Sequence, residues 1–271
     1  MRGLRNLGDD FDATVVTAID ARLRSVAERE NAAVLLAIES GSRAWGFPSP
    51  DSDYDCRFIY ARRRIDYLAL FARRDVIEFP NDAVLDVNGW DLKKALRLLL
   101  KGNAVVIEWL TSPFTYAGEA RFRAEATALA QQAAQPAAIA RHYLHLGERQ
   151  RRTYFADTHA IPLKKMVYAL RPAIALRWLR LHPGEAVAPM HFPTLVSASD
   201  LPADVIAIIG ELLARKAVTR ELGKGPIPEP IGALIDAEFA IARGHWLREP
   251  LRADPAVIAA ADDLFRRWVV H

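Results

Sequence analysis

Gly41-Ser-Arg-Ala-Trp-Gly-Phe-Pro-Ser-Pro-Asp-Ser-Asp-Tyr-Asp55 lies between two apolar runs, Ala32-Ala-Val-Leu-Leu-Ala-Ile38 and Cys56-Arg-Phe-Ile-Tyr-Ala61. Each run is long enough for one buried strand. Between them come a Gly-Ser pair, ten residues, and two aspartates one residue apart, Asp53 and Asp55. Side chains at i and i+2 of a strand share a face, so both carboxylates are expected to point the same way at one strand end. Two such carboxylates repel, and holding them together makes sense if a cation sits between them. Gly41 and Ser42 can offer backbone N–H groups and a hydroxyl to an anion at the adjacent turn. A divalent metal beside a phosphate cradle describes phosphoryl or nucleotidyl transfer. An ordinary acidic turn would explain Asp-x-Asp alone, but not the whole order of strand, Gly-Ser, spacer, acids and strand. A Walker loop is excluded: there is no Gly-Lys-Ser/Thr, and the acids come from the next strand.

With Asp86-Val-Asn-Gly-Trp-Asp91-Leu and Glu108-Trp-Leu-x-Ser-Pro113 downstream, this text resembles the nucleotidyltransferases of the DNA polymerase β superfamily. It is most similar to the bacterial and phage branch associated with predicted RNA repair. The resemblance is dense over residues 33–116 and thinner over 164–179. It implies an α+β fold: a polymerase-β-like catalytic domain with a mixed sheet, followed by an all-helical domain. It also implies an NTP substrate and an RNA end as the acceptor hydroxyl.

In-line nucleotidyl transfer uses two divalent ions roughly 3.5–4 Å apart, and such a pair calls for three carboxylates. Asp53 and Asp55 supply two; the candidates for the third are Glu78, Asp86 and Asp91. Asp86 is the choice, because a charge within Val84-Leu-Asp-Val-Asn is expensive without a partner. The resemblance adds that the third acid lies on a later strand and helps deprotonate the attacking hydroxyl. Asp91 is explained as a helix N-cap. Oxygen ligands favour Mg²⁺, which Mn²⁺ can replace.

The nucleotide-binding candidates are Gly41, Ser42 and Arg43, joined by Lys164, Tyr168 and Arg171, which share one face of a predicted helix. The resemblance to a Lys-Lys-x-x-Tyr-x-Leu-Arg-Pro text supports that second group as holders of the β- and γ-phosphates. Trp45 and Phe47 are expected to fill core space under the loop. Lys216 and Lys224 flank a turn-rich segment and could reach substrate.

Helical periodicity covers 12–30, with Val15, Ile19, Leu23 and Val26 on one face. Strands are expected at 32–39, 54–61, 75–79 and 83–90, a short helix at 62–71, and a helix at 92–100 that Asp91 caps. Beyond residue 119 strand-like alternation nearly vanishes. Helices are expected at 119–134, 137–155, 163–181, 201–217, 231–247 and 255–270. The division expected is a catalytic domain at 1–118 and a helical domain at 119–271 that closes the cleft.

The 271 residues are 51% hydrophobic and 25% charged, the composition of a globular protein with a sizeable core. No apolar run approaches the ~20 residues that span a bilayer, and the N-terminus lacks a signal-peptide core. The single cysteine, Cys56, rules out an internal disulfide, is expected to be a small strand residue, and suits a reducing cytoplasm. Net charge is +3, yet residues 141–180 carry nine basic side chains against Glu148 and Asp157. That window is expected to favour triphosphates or nucleic acid. The rival readings are transfer to a protein or small molecule, and a non-catalytic nucleotide- or RNA-binding regulator on the same fold.

Overall fold

A computed structural model describes residues 3–80, 84–155, 161–219, 223–248, 251 and 254–269, with the side chain of Lys164 outside that description. The elements run α1 (Ala13–Glu30), β1 (Ala32–Glu39), α2 (Gly41–Ala44), β2 (Tyr54–Arg62), α3 (Arg64–Tyr67), β3 (Val76–Glu78), β4 (Leu85–Asp91), α4 (Leu92–Leu100), α5 (Ala104–Thr111) and β5 (Thr115–Gly118). They continue as α6 (Ala120–Ala133), α7 (Pro136–Tyr154), β6 (Ile161–Pro162), α8 (Leu163–Leu181), α9 (Phe192–Ser197), α10 (Ala203–Val218), β7 (Lys224–Gly225), α11 (Glu229–His245) and α12 (Pro255–Trp268).

The chain divides into two units, and the division differs from the boundary expected at 118/119. The sheet unit takes the chain up to Ala44, Asp53–Ala133 and the C-terminal stretch that carries α12. The helical unit takes Trp45–Ser52 and the stretch from Ala134 that carries α7 to α11. A single cut in the sequence cannot represent a last helix that returns. α12 returns because Trp268 packs edge-on to Phe122 of α6 (5.3 Å) and donates Nε1–H to Glu125 (2.9 Å). Its Phe265 also meets Tyr67 at 5.0 Å.

In the sheet unit a five-stranded mixed sheet has the order β3-β4-β2-β1-β5. β1 pairs antiparallel with β2 and β5, β2 pairs parallel with β4, and β3 pairs antiparallel with β4. Alternation along β2 sends Tyr54, Cys56, Phe58 and Tyr60 to one side, where they join Val16, Ile19, Leu23 and Val26 of α1 in one core. Val16 thus takes the fully buried place expected for Val15, which packs at the edge. Asp12 starts α1 by accepting the N–H groups of Thr14 and Val15, and Asn31 ends it in the left-handed region. The buried face of α4 is Leu92, Ala95, Leu96 and Leu99, and that helix packs against β2 and β4. The short segment at 105–110 is helical, as α5, and β5 is a strand that alternation did not signal.

In the helical unit α8 is the central element. Met166, Val167, Ala169, Leu170 and Ala173 to Leu176 are all buried, so the helix is covered nearly all round. Pro172 lies inside it without ending it. A Cβ on Gly147 of α7 would stand 2.3 Å from the Phe239 ring and 3.2 Å from Pro172, so a glycine lets α7, α8 and α11 approach closely. The proline-rich connection before α10 holds the short helix α9, which starts with Phe192-Pro193.

Asp91 is the N-cap of α4: it accepts Lys93 N–H (2.8 Å) and the Tyr67 hydroxyl (3.0 Å). Asn keeps the cap to Lys93 but its amide nitrogen cannot accept the Tyr67 hydroxyl, so Asp91→Asn is expected to cost less stability in urea than loss of the whole cap. Asp91→Ala should cost about 1–2 kcal/mol. Equal losses from both substitutions would show that Asp91 serves through its charge instead.

Candidate active site

The parallel register of β2 and β4 sets Asp55 directly opposite Asp86. Both face the side of the sheet away from α1, since their neighbours Tyr54, Cys56, Leu85 and Val87 supply the α1-side core. Two residues along β2, on the same side, stands Arg57. Its Nη2 donates to Asp55 Oδ1 (2.9 Å) and to Asp86 Oδ2 (2.6 Å). Its Nη1 donates to the backbone carbonyls of Asp86 (2.8 Å) and Cys56 (3.2 Å), which fixes the guanidinium plane. Asn88 donates to the remaining Asp86 oxygen at 3.2 Å.

Since both oxygens lie on one nitrogen, they are no more than about 5.5 Å apart. Two bare charges at that separation would repel by about 3 kcal/mol at an effective dielectric of 20. Arg57 offsets this. Arg57 Nη2 thus joins Asp55 to Asp86, the acid pair that the strand register brings together. Asp53 is exposed and precedes β2 by one residue, so the strand pairing that holds Asp55 does not hold it. Among the described residues no group of three or more His, Cys, Asp or Glu side chains is close enough to hold a metal ion. Burial pushes Asp55 up to about 6; Arg57 pulls against it, while Asp53 and Asp86 add to the rise.

Beneath the acids lies Glu39, the last residue of β1 and fully buried. One carboxylate oxygen accepts the Asp55 backbone N–H (3.1 Å), and the other accepts the Tyr116 hydroxyl (2.5 Å). Burial pushes Glu39 up to about 8, against the pull of those two hydrogen bonds and of Arg43. Glu39 and Arg57 were both missed from sequence. The signals were present: a lone carboxylate closing an apolar run, and an arginine in step with Asp53 and Asp55.

Gly41 adjoins this group. Its φ is +60°, and a Cβ there would lie 1.9 Å from Asp55 Oδ2. Only glycine fits, because the backbone both turns left-handed and touches the carboxylate. Ser42 is buried in α2 beside it. Arg43 is placed elsewhere: its guanidinium lies 3.9 Å from the centre of the Tyr54 ring, on the α1 side of the sheet, with Asp10 at 3.9 Å. Of the other third-acid candidates, Asp91 is a cap and Glu78 is exposed and paired with Arg74. Cys56 is a buried strand residue, as expected, with its thiol held protonated by burial.

The helical face read as Lys164, Tyr168 and Arg171 has a different character. Arg171 is 4% exposed, lies 4.6 Å from the centre of the Trp45 ring and donates to the Met190 carbonyl (3.3 Å). Tyr168 meets Trp45 edge-on at 5.8 Å. Lys164's side chain falls outside the described residues. Part of the charge in the 141–180 window meets partners inside the helical unit. Arg177 and Arg180 share Glu238, Arg151 pairs with Asp236, and Arg141 donates to the Trp246 carbonyl. The counter-charges come from α11, too far along the chain to enter a local count.

The Glu39 carboxyl gives a pH signature. Its native value near 8 lies above the ordinary 4.5, so the native state binds the extra proton and stability falls as pH rises from about 4.5 through 8. Glu39→Gln should remove that decline. Melting temperature as a function of pH should show the variant close to wild type at pH 5 and above it at pH 8.5. Parallel curves for the two proteins would mean that Glu39 is ionised in the fold throughout.

The chain is 36% identical over 217 residues to a Bacillus subtilis (strain 168) protein described as "Uncharacterized protein YcgL", a match covering 80% of this chain and 82% of that one. Residues 15–267 match the RNA repair pathway DNA polymerase beta family, and the chain belongs to that family.

Proposed function

We propose that the protein is a metal-dependent nucleotidyltransferase that moves an NMP from an NTP onto a hydroxyl, with an RNA end as acceptor. The family supports the coarser part, a polymerase-β-type nucleotidyltransferase in RNA repair. The observation that carries the finer part is the register pairing of Asp55 with Asp86 beside a glycine whose missing side chain keeps the backbone against Asp55.

The donor set fits divalent ions in chemistry. Asp53, Asp55 and Asp86 are hard oxygen ligands suited to Mg²⁺ or Mn²⁺, and Arg57 Nη2 already draws two of them around one positive charge. When bound, such ions supply charge neutralisation at the entering and leaving oxygens. The chain's own groups do the rest. Amides of Gly41 and Ser42 bind phosphate oxygens, and the Ser42 hydroxyl orients them. Asp86, 31% exposed in its side chain, accepts the proton of the attacking hydroxyl. Arg57 keeps Asp55 and Asp86 aligned. Arg43, Tyr168 and Arg171 have packing partners of their own and are not needed for these steps.

Incubation with each α-labelled NTP and Mg²⁺, with RNA or with cell-extract protein, tests this reading. Label should be retained on RNA. Asp55→Asn and Asp86→Asn should each lower transfer by at least about 100-fold, as losing a preorganised group at the reacting centre does, while Asp91→Asn stays active. Label on protein would move the acceptor class, and undiminished transfer by Asp55→Asn or Asp86→Asn would end the catalytic assignment.

A further inference from the structure

The ten residues that separate Ser42 from Asp53 are mostly not part of the sheet unit. After Ala44 the chain contributes Trp45–Ser52 to the helical unit and resumes the sheet unit at Asp53. Within the helical unit this segment is anchored at several points. Phe47 is 4% exposed and packs edge-on to Phe192 at 5.6 Å. Its carbonyl accepts a hydrogen bond from Lys216 Nζ, which also lies 4.7 Å from the centre of its ring. Lys216 is only 2% exposed. A buried ammonium is costly unless it is hydrogen-bonded, so its engagement with Phe47 is not incidental.

Trp45 is held as firmly. Arg171 covers its ring, Tyr168 meets it edge-on, and its carbonyl accepts the Phe192 N–H at 2.8 Å. Gly46 between them has φ +83°, and a Cβ there would lie 2.3 Å from His191 Nε2. Ser49 and Ser52, both buried, close the far end: Ser49 N–H donates to Ser52 Oγ (2.8 Å) and Ser52 N–H to the Ser49 carbonyl (2.9 Å). Pro48 and Pro50 remove backbone freedom in between. Only Arg43 and Ala44 separate Ser42 from the anchored segment, and nothing separates Ser52 from Asp53. With two soft dihedrals per residue, so short a connection leaves few backbone freedoms to uncouple Ser42 and Asp53 from the anchored segment.

From this anchoring we infer that Lys216, together with Arg171 and Tyr168, positions the nucleotide and metal loop, acting through Trp45–Ser52 on Ser42 and Asp53. The inference rests on the reading of Ser42, Asp53 and Asp55 as the nucleotide and metal site. It gives a role to side chains whose sequence positions suggested direct contact with substrate. Lys216 holds the loop by its backbone carbonyl and ring, and Arg171 and Tyr168 hold it by an indole.

Hydrogen–deuterium exchange on the full chain separates this role from plain support of the helical unit. Lys216→Met keeps length and apolar bulk but removes the charge and the donor. In that variant the amides of residues 41–44 and 53–56 should exchange at least about tenfold faster, as expected when a buried charge-assisted hydrogen bond is lost. Lys216→Arg should restore most of the protection. Leu234→Ala, a core truncation in α11, should loosen the helical unit while leaving 41–44 and 53–56 at wild-type rates. Should Lys216→Met fail to fold, Phe47→Leu tests the same anchor with the same readout. Acceleration confined to 45–52 and the helices would overturn the inference, as would equal effects from Leu234→Ala. NTP affinity measured on the same proteins serves a separate purpose. A wild-type chain that binds no NTP sinks the catalytic reading, while the exchange pattern still decides the positioning role.

Discussion

One parallel strand pairing carries the site. Because β2 and β4 run side by side in a register that sets Asp55 opposite Asp86, two carboxylates face each other on one side of the sheet. An arginine two positions along from the first can then reach both. Shift that register by one residue and Asp86 would face the α1-side core instead. The opposite side of the same strands supplies the restoring force. Tyr54, Cys56, Phe58 and Tyr60 pack with α1, as do Leu85 and Val87, and a slip would expose every one of them. The hydrophobic core thus sets the alignment of a polar site that contributes little stability of its own.

Beneath the acids a second constraint works through burial. Glu39 sits in the sheet at a place where a charge is unfavourable, and it ties the Asp55 backbone to Tyr116 on β5. A protonated carboxyl, the state that burial favours, can occupy this place without a counter-ion, which an ionised one could not do cheaply. The site is therefore layered: a buried carboxyl below, two partly exposed carboxyl groups and a guanidinium above, and the glycine turn against them.

The helical unit illustrates how charge can mislead. A basic stretch reads as a polyanion surface as long as its counter-charges are out of view. Here Glu238 takes two of the arginines and Asp236 a third, while Arg171 is buried against an indole. These pairs hold α7, α8 and α11 together, and part of the field anticipated from local composition is spent on architecture.

Much of the sheet unit was legible in the residues themselves. Apolar runs bounded by turns, 3.6-residue periodicity in α1 and α4, and caps such as Asp91 are local signals, and the strands and helices they imply are present within a residue or two, apart from the helix expected at 62–71, which spans only Arg64–Tyr67. The closeness of Gly41 to Asp55 was foreshadowed by their order along the chain, which was itself the signal. Asp86 was legible as a residue in need of a partner, because a charge inside an apolar strand is costly alone. Three things could only be decided in three dimensions. That the partner is Arg57 depends on which strands pair and in what register. That Trp45–Ser52 belongs with the helices depends on where Phe192, Arg171 and Lys216 arrive, over a hundred residues later. That α12 belongs with the sheet unit depends on Trp268 meeting Phe122. Local sequence determines which elements form, because backbone sterics and side-chain periodicity act over a few residues. Tertiary structure decides which charges meet, because electrostatics and packing act between residues the chain order keeps far apart.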